Sequence, residues 1–187
     1  MSIKRKIFTM LYYGFARYLP DPYTPVVGKA CNAVRVFCVK RIFRKCGKIQ
    51  TVCRGVYFGS GAEVEIGDYS GLGPNCRITP DIKIGNYVMM APDLLVLRAN
   101  HRFDDPDTPI GLQGVEPAPP CVIGDNVWIG QRVTIVPGRR IASGTVVAAC
   151  AVVTKDFPEN MIIGGNPARV IRPRCSAKSG LPQTQQS

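Results

Sequence analysis

One histidine, His101, and one tryptophan, Trp128, are all that the 187 residues contain of those two types. Zinc sites are usually built from several imidazoles or closely spaced thiolates, so a single His makes zinc chemistry a poor fit. The eight cysteines, at 31, 38, 46, 53, 76, 121, 150 and 175, include no C-x-x-C pair and no metal-ligand spacing. No run approaches the roughly 18 apolar residues of a membrane-spanning helix. The longest early apolar stretch, Met10–Ala16, is too short for an export signal and lacks a small-residue cleavage site after it. Without export, the thiols are expected to stay reduced, as small apolar fillers in a reducing cytoplasm. Acid is nearly missing from the front of the chain. Residues 1–48 carry eleven Lys and Arg against Asp21 alone, whereas residues 49–187 carry thirteen basic and twelve acidic residues. The formal charge of +11 therefore describes a nearly neutral body with a basic front end.

A chain of this length is expected to form one domain with at most a small appendage. The body is organised by a period of six. Steps of six from Ile66 reach Leu72, Ile78, Ile84, Met90 and Val96, and steps from Ile123 reach Ile129, Ile135, Ile141, Val147 and Val153. All twelve positions are aliphatic, and five are followed by glycine. Two residues earlier runs a second series of mostly small or β-branched residues, from Val64 to Ala151, with Arg139 as the outlier. A helix repeats at 3.6 residues and a two-sided strand at 2, so neither sustains this spacing. A triangular coil does, with each hexad making one short strand and one tight corner. Three hexads close a coil, and twelve hexads predict about four or more coils stacked as parallel strands. The small residue after each aliphatic is expected to permit the bend and close backbone approach.

From Val96 to Ile123 the register breaks, and residues 97–121 read as a long excursion loop rich in proline and acid. Ordered loops of this length are often functional, and this one begins near His101. A neutral imidazole, with an ordinary pKa of about 6.5, suits removal of a hydroxyl proton near neutral pH. No cysteine sits beside it in sequence, and Cys76 and Cys121 fall on inward hexad positions.

The aliphatic-Gly repeat, together with NHRFDDPDTPIGLQG, VIGDNVWIGQRVTIVPG and VVTKDFPENMIIGGNPARVIR, resembles the hexapeptide-repeat acyltransferase superfamily. Within it the chain looks like the sugar and polysaccharide O-acetyltransferase branch, over about residues 56–173. What the resemblance implies is an all-β, left-handed parallel β-helix that transfers acetyl from acetyl-CoA, without a metal, to a sugar or glycan-precursor hydroxyl. It further implies a homotrimer with each site between two subunits. Position by position, His101 matches the general base and Trp128 the tryptophan lining the acetyl-CoA channel. Gly130 and Ala149 match residues beside the pantetheine arm. Thr154, Lys155, Arg169 and Arg172 match those holding the nucleotide end. On the acceptor side Asp81 matches an acid that binds the sugar, and Asn75 lies near the family's asparagine. Three departures stand out: Gln131 where a small residue is common, Ala148-Ala149-Cys150 for Gly-Ala-Gly, and Arg139-Arg140 for an apolar pair. Asp104, Asp105, Glu116 or a backbone carbonyl are all candidates to orient His101. Other acceptors (an amino sugar, serine, an antibiotic) remain open, as does a non-catalytic β-helical scaffold. A γ-carbonic-anhydrase-like metal enzyme on the same fold would need three histidines.

Residues 1–48 read as a basic helical extension, residues 49–173 as the β-helix, and residues 174–187 as a disordered tail. Within the extension Ile3–Tyr18 predicts one helix and Val26–Cys46 a second, with an apolar face and a cationic face. Two uses are open for the pair: packing on the trimer, or contact with an anionic membrane. The enzyme would then be cytoplasmic, with peripheral attachment at the inner face as an option. No groove-reading motif or aromatic interleaving accompanies the charge, so nucleic acid is not expected.

Overall fold

A computed structural model describes residues 2–175. The chain forms a left-handed parallel β-helix fronted by two helices, α1 (Ile3–Gly14) and α2 (Gly28–Ile42). Two-residue strands stack in parallel on three faces. Pairing of Lys45–Cys46 with Glu65–Ile66, then with Lys83–Ile84, Val122–Ile123 and Arg140–Ile141, makes the first face. The second face carries Thr51–Val52, Gly71–Leu72, Met89–Met90, Trp128–Ile129 and Val146–Val147. Leu95–Val96, Thr134–Ile135 and Val152–Val153 form the third, which Tyr57 and Arg77 extend downward. Five coils result, and Met161–Gly164 starts a sixth beside Val146–Val147.

The twelve hexads account for four of these coils, and a first coil, with Cys46, Val52 and Phe58 facing inward, precedes Ile66. Its own period is also six, but the corner after Phe58 holds two extra residues, so the step to Ile66 is eight and the unbroken series starts only there. The first strand consequently lies before residue 49. Inside, both hexad series are buried along the whole prism, from Ile66 and Val64 to Val153 and Ala151. Arg139 is the exception. Its guanidinium turns outward to the Pro137 carbonyl at 3.2 Å and towards Asp156.

The bend and the close approach fall on different residues of the hexad. The chain turns through a left-handed conformation three residues after the aliphatic, as at Tyr69, Asn75, Tyr87, Asn126 and Gly144. The glycine directly after the aliphatic serves stacking instead: a Cβ on Gly85 would meet the Gly124 carbonyl carbon and oxygen at 2.8 Å. At the corner between the first two faces, side chains join successive coils. The Asp68 carboxylate accepts from the Lys48 N–H (2.6 Å), Asn86 from Asp68 (2.8 Å), Asp125 from Asn86 (2.7 Å), and Ser143 from Asp125 (3.1 Å).

A stack of parallel strands leaves unpaired backbone groups at each end, and buried ones need partners. At the front, helix side chains supply them. Tyr12 donates to Val56 O and Tyr13 to Gly59 O, while Tyr13 also accepts from the Phe58 N–H. Asn32 bridges Gln50 O and the Val52 N–H, and Arg17 donates to Gly55 O. Arg35 is fully buried and donates to the carbonyls of Val52, Leu19 and Pro20. That corrects the expected cationic face of the second helix: one of its charges is spent inside, and desolvation lowers the Arg35 pKa. At the far end Arg169–Pro173 returns antiparallel over Met161–Gly164. Six of the eight thiols are buried or half-buried, whereas Cys150 and Cys175 are exposed rather than core. Of the expected disordered tail, residues 176–187 lie outside the described residues.

Two outcomes are expected. Gly85→Val should cost about 1–3 kcal/mol or more in thermal unfolding, because backbone flanks the missing Cβ. Burial pushes the Tyr13 hydroxyl up to about 12 and Tyr12 in the same direction. The folded state thus favours the neutral phenols. The Tyr13 contribution is whole below a pH of about 10 and is lost as pH rises through about 12. Near-ultraviolet circular dichroism against pH should report the helices loosening in that window, and Tyr13→Phe should weaken the cap by about 1 kcal/mol.

Candidate functional site

The third corner, where the chain climbs from one coil to the next, carries Asp81 in the second coil and Thr154 and Lys155 in the fifth. The excursion loop leaves the same corner in the third coil, after Val96. The loop has internal order. Asn100–His101 pairs antiparallel with Val115–Glu116, His101 standing opposite Val115 and Asn100 opposite Glu116. The Arg102 N–H donates to Gly114 O at 3.1 Å. Asp105 holds the tip: its carboxylate accepts from the Thr108 hydroxyl (2.6 Å) and the Asp107 N–H (3.0 Å). Gln113 closes the turn by donating to the Asp105 and Thr108 carbonyls. The Thr108 hydrogen bond, with help from the Asp107 N–H, lowers the Asp105 pKa. Asp105 is thus occupied within the tip rather than turned to His101, and Glu116 faces Asn100. His101 itself is exposed. Near its end the loop lies back on the prism, where Gly138 leaves room for Pro119 and Ala118.

A different corner, between the second and third faces, gathers the other half of the set. Asn75, in the second coil, adopts a left-handed backbone and donates to the Asp93 carboxylate one coil above at 3.3 Å. Gly130 lies at this corner in the fourth coil and Ala149 in the fifth. A Cβ on Gly130 would come within 2.6 Å of the Ala149 nitrogen, so stacking alone requires this glycine. Ala149, by contrast, is exposed. Gly164 packs on Ala148, and Arg169 is its partner across the returning strand, which brings a guanidinium to the top of the column. Trp128 points outward on the strand leading into the corner, between Met89 and Val146, and is 52% exposed.

The cations are available. Arg169 donates only to the local carbonyls of Pro167 and Ala168, and Arg172 to that of Pro173. The Lys155 ammonium lies 5.6 Å from the Phe157 ring centre. Among the described residues none of the three is in an ion pair. The fold therefore brings Asn75, Trp128, Gly130, Ala149 and Arg169 to one side of the third face, and Asp81, His101, Thr154 and Lys155 to the other. Corresponding corner positions are six residues apart along the chain, at most about 20 Å of extended backbone. Sequence reasoning missed the Asp93 contact to Asn75 and the Asp105–Gln113 clasp. The signal for the first was the left-handed step in each hexad, where Asn and Asp are at home; nothing in the spacing pointed to the second.

A sequence profile of the family described as bacterial transferase hexapeptide (six repeats) matches residues 120–155. The chain is 35% identical over 136 residues to galactoside O-acetyltransferase of Escherichia coli K12, covering 72% of this chain and 66% of that one. Across four curated relatives the chain spans between 53% and 66% of their length. Among solved structures, a maltose O-acetyltransferase from Clostridium difficile 630 superposes with a TM-score of 0.73 at 31% identity, over 92% of this chain and 87% of that one. A hexapeptide-repeat acetyltransferase of Vibrio cholerae O1 biovar eltor, complexed with acetyl coenzyme A, gives 0.68 at 30% identity over 77% and 78%.

Replacing Asp105 with Ala should release the loop tip. Limited proteolysis is expected to cut within residues 102–113 several-fold faster, with the thermal unfolding of the prism little changed.

Proposed function

Because the chain belongs to the hexapeptide-repeat acyltransferase superfamily, we propose that it transfers the acetyl group of acetyl-CoA to a hydroxyl of a sugar or cell-surface polysaccharide precursor. The observation that carries this reading is Trp128, half exposed beside a corner column of small residues that ends in Arg169. Packing of the prism needs no outward indole there. A narrow alkyl-amide arm can lie along such a column against the ring. The coenzyme's diphosphate and 3′-phosphate need cations at one end, and Lys155, Arg169 and Arg172 supply them. Thr154 adds a hydroxyl beside Lys155.

In the proposed reaction both substrates are bound together. His101 removes the acceptor's hydroxyl proton as its oxygen attacks the thioester carbon. Backbone N–H groups hold the oxyanion. The carbon–sulfur bond then breaks, and His101 returns the proton to the departing thiolate, leaving an acetyl ester and free coenzyme A. Asp81 and Asn75 are the proposed acceptor contacts. The division of these residues between two corners supports a homotrimer in which the loop corner of one subunit faces the Trp128 corner of the next. Two chains then supply what one chain holds a face apart.

His101→Ala is expected to lower acceptor-dependent thiol release by about 10²–10⁴-fold while coenzyme A still binds in calorimetry. A variant releasing thiol at the wild-type rate would sink the mechanism. Lys155→Ala and Arg169→Ala should each raise the KM for acetyl-CoA by about tenfold with kcat little changed. Light scattering should return three times the chain mass.

A further inference from the structure

The front helices do more than close the stack. Helix α1 is apolar on two sides. Phe8, Tyr12 and Tyr13 face the first coil and α2. On the opposite side Ile3, Ile7, Met10 and Leu11 share an arc of about 100° at 100° per residue and stand exposed, Ile3 at 78% and Met10 at 75%. Phe15 and Tyr18, just past the end of the helix, are exposed as well. Lys4 and Lys6 flank the arc, one on each edge, and both are exposed. Across the groove Phe37 of α2 meets Phe8 edge-on at 5.6 Å, and the Arg41 guanidinium lies 3.4 Å over the Phe37 ring, with exposed Lys40 beside it. Among the described residues of the extension the one acid, Asp21, is in the connection between the helices and on neither of them.

We propose that the outer face of α1, with Phe37, Lys40 and Arg41 of α2, docks on an anionic lipid bilayer. An apolar strip edged by cations is what lies flat in a headgroup layer, with the side chains in the acyl boundary and the ammonium groups on lipid phosphates. The element concerned is not the one that the sequence pattern favours. The apolar face of α2 is consumed by the first coil, its Arg35 is buried, and Arg44 pairs with Glu63 and Glu65. Face-to-face pairing with a second copy of this chain is a poor alternative, because two like-charged faces of this kind repel. The docking surface stands independently of the catalytic reading. If that reading holds, the geometry also sets an orientation. The helices cover the first coil, Asn75 and Asp81 lie in the second, and the coenzyme cations sit about 15–20 Å further along the stack. The acceptor end would face the bilayer and the coenzyme end the aqueous side.

Co-sedimentation of the full chain with vesicles tests this. Wild type should pellet with phosphatidylcholine–phosphatidylglycerol vesicles, remain in solution with phosphatidylcholine alone, and be released by added salt. Ile7→Asp with Met10→Asp should weaken binding by at least about tenfold. Lys4→Gln with Lys6→Gln, both on open surface, should weaken it several-fold with thermal unfolding unchanged. Acetyl transfer to a soluble acceptor should be unaffected by either pair. Wild type left in the supernatant of anionic vesicles overturns the proposal, as do both pairs pelleting like wild type. Binding to an acidic protein without binding to vesicles also overturns it and assigns the face to a protein partner.

Discussion

Each coil satisfies its backbone donors and acceptors through the coils above and below it, and the other features of the chain follow from that dependence. Successive coils must approach to strand spacing all around a narrow triangle, so the residue after each inward aliphatic has to be small. At Gly85 and Gly130 the next coil's backbone occupies the space a side chain would need. The same dependence leaves two open ends. The front end is closed by side chains and not by another strand: two phenols, an asparagine and two arginines reach the first coil's backbone. At the back end the chain turns over itself as an antiparallel strand.

A rigid prism has a functional consequence. Its corners are fixed columns, and residues on different columns cannot close on one another by bending the scaffold. Asn75, Trp128, Gly130, Ala149 and Arg169 belong to one column and its approach; Asp81, His101, Thr154 and Lys155 belong to another. Only the excursion loop breaks the rule. Antiparallel pairing at His101 and the Asp105–Gln113 clasp give it a shape of its own. The proposed chemistry lies where such a loop from one chain can meet a fixed column of another.

Much of the fold was legible because a period of six constrains every turn of the helix. Both inward series, from Val64 and Ile66 onward, could be read directly and are buried apart from Arg139. The first coil was hidden by two extra corner residues after Phe58, which shift the register without changing the architecture. Arg35 was misread for a different reason. Helical spacing separates faces by composition, yet a charged side chain can be the best cap for several carbonyls at once, and composition cannot reveal that. The candidate residues could be named from the sequence, since the motifs around His101, Trp128 and Lys155 are contiguous. Which of them share a corner was not, because that depends on counting coils across a break in the repeat.

The most direct test of the divided site mixes two inactive variants. His101→Ala removes the proposed base, and Ala149→Trp, at an exposed position of the same column, blocks the path on which coenzyme A is proposed to lie. If the two halves come from different subunits, co-refolding equal amounts should form one intact site per mixed trimer and recover about a quarter of wild-type thiol release. If each chain holds a complete site, the mixture will stay as inactive as its parts, and the account of an intersubunit acetyltransferase will be wrong.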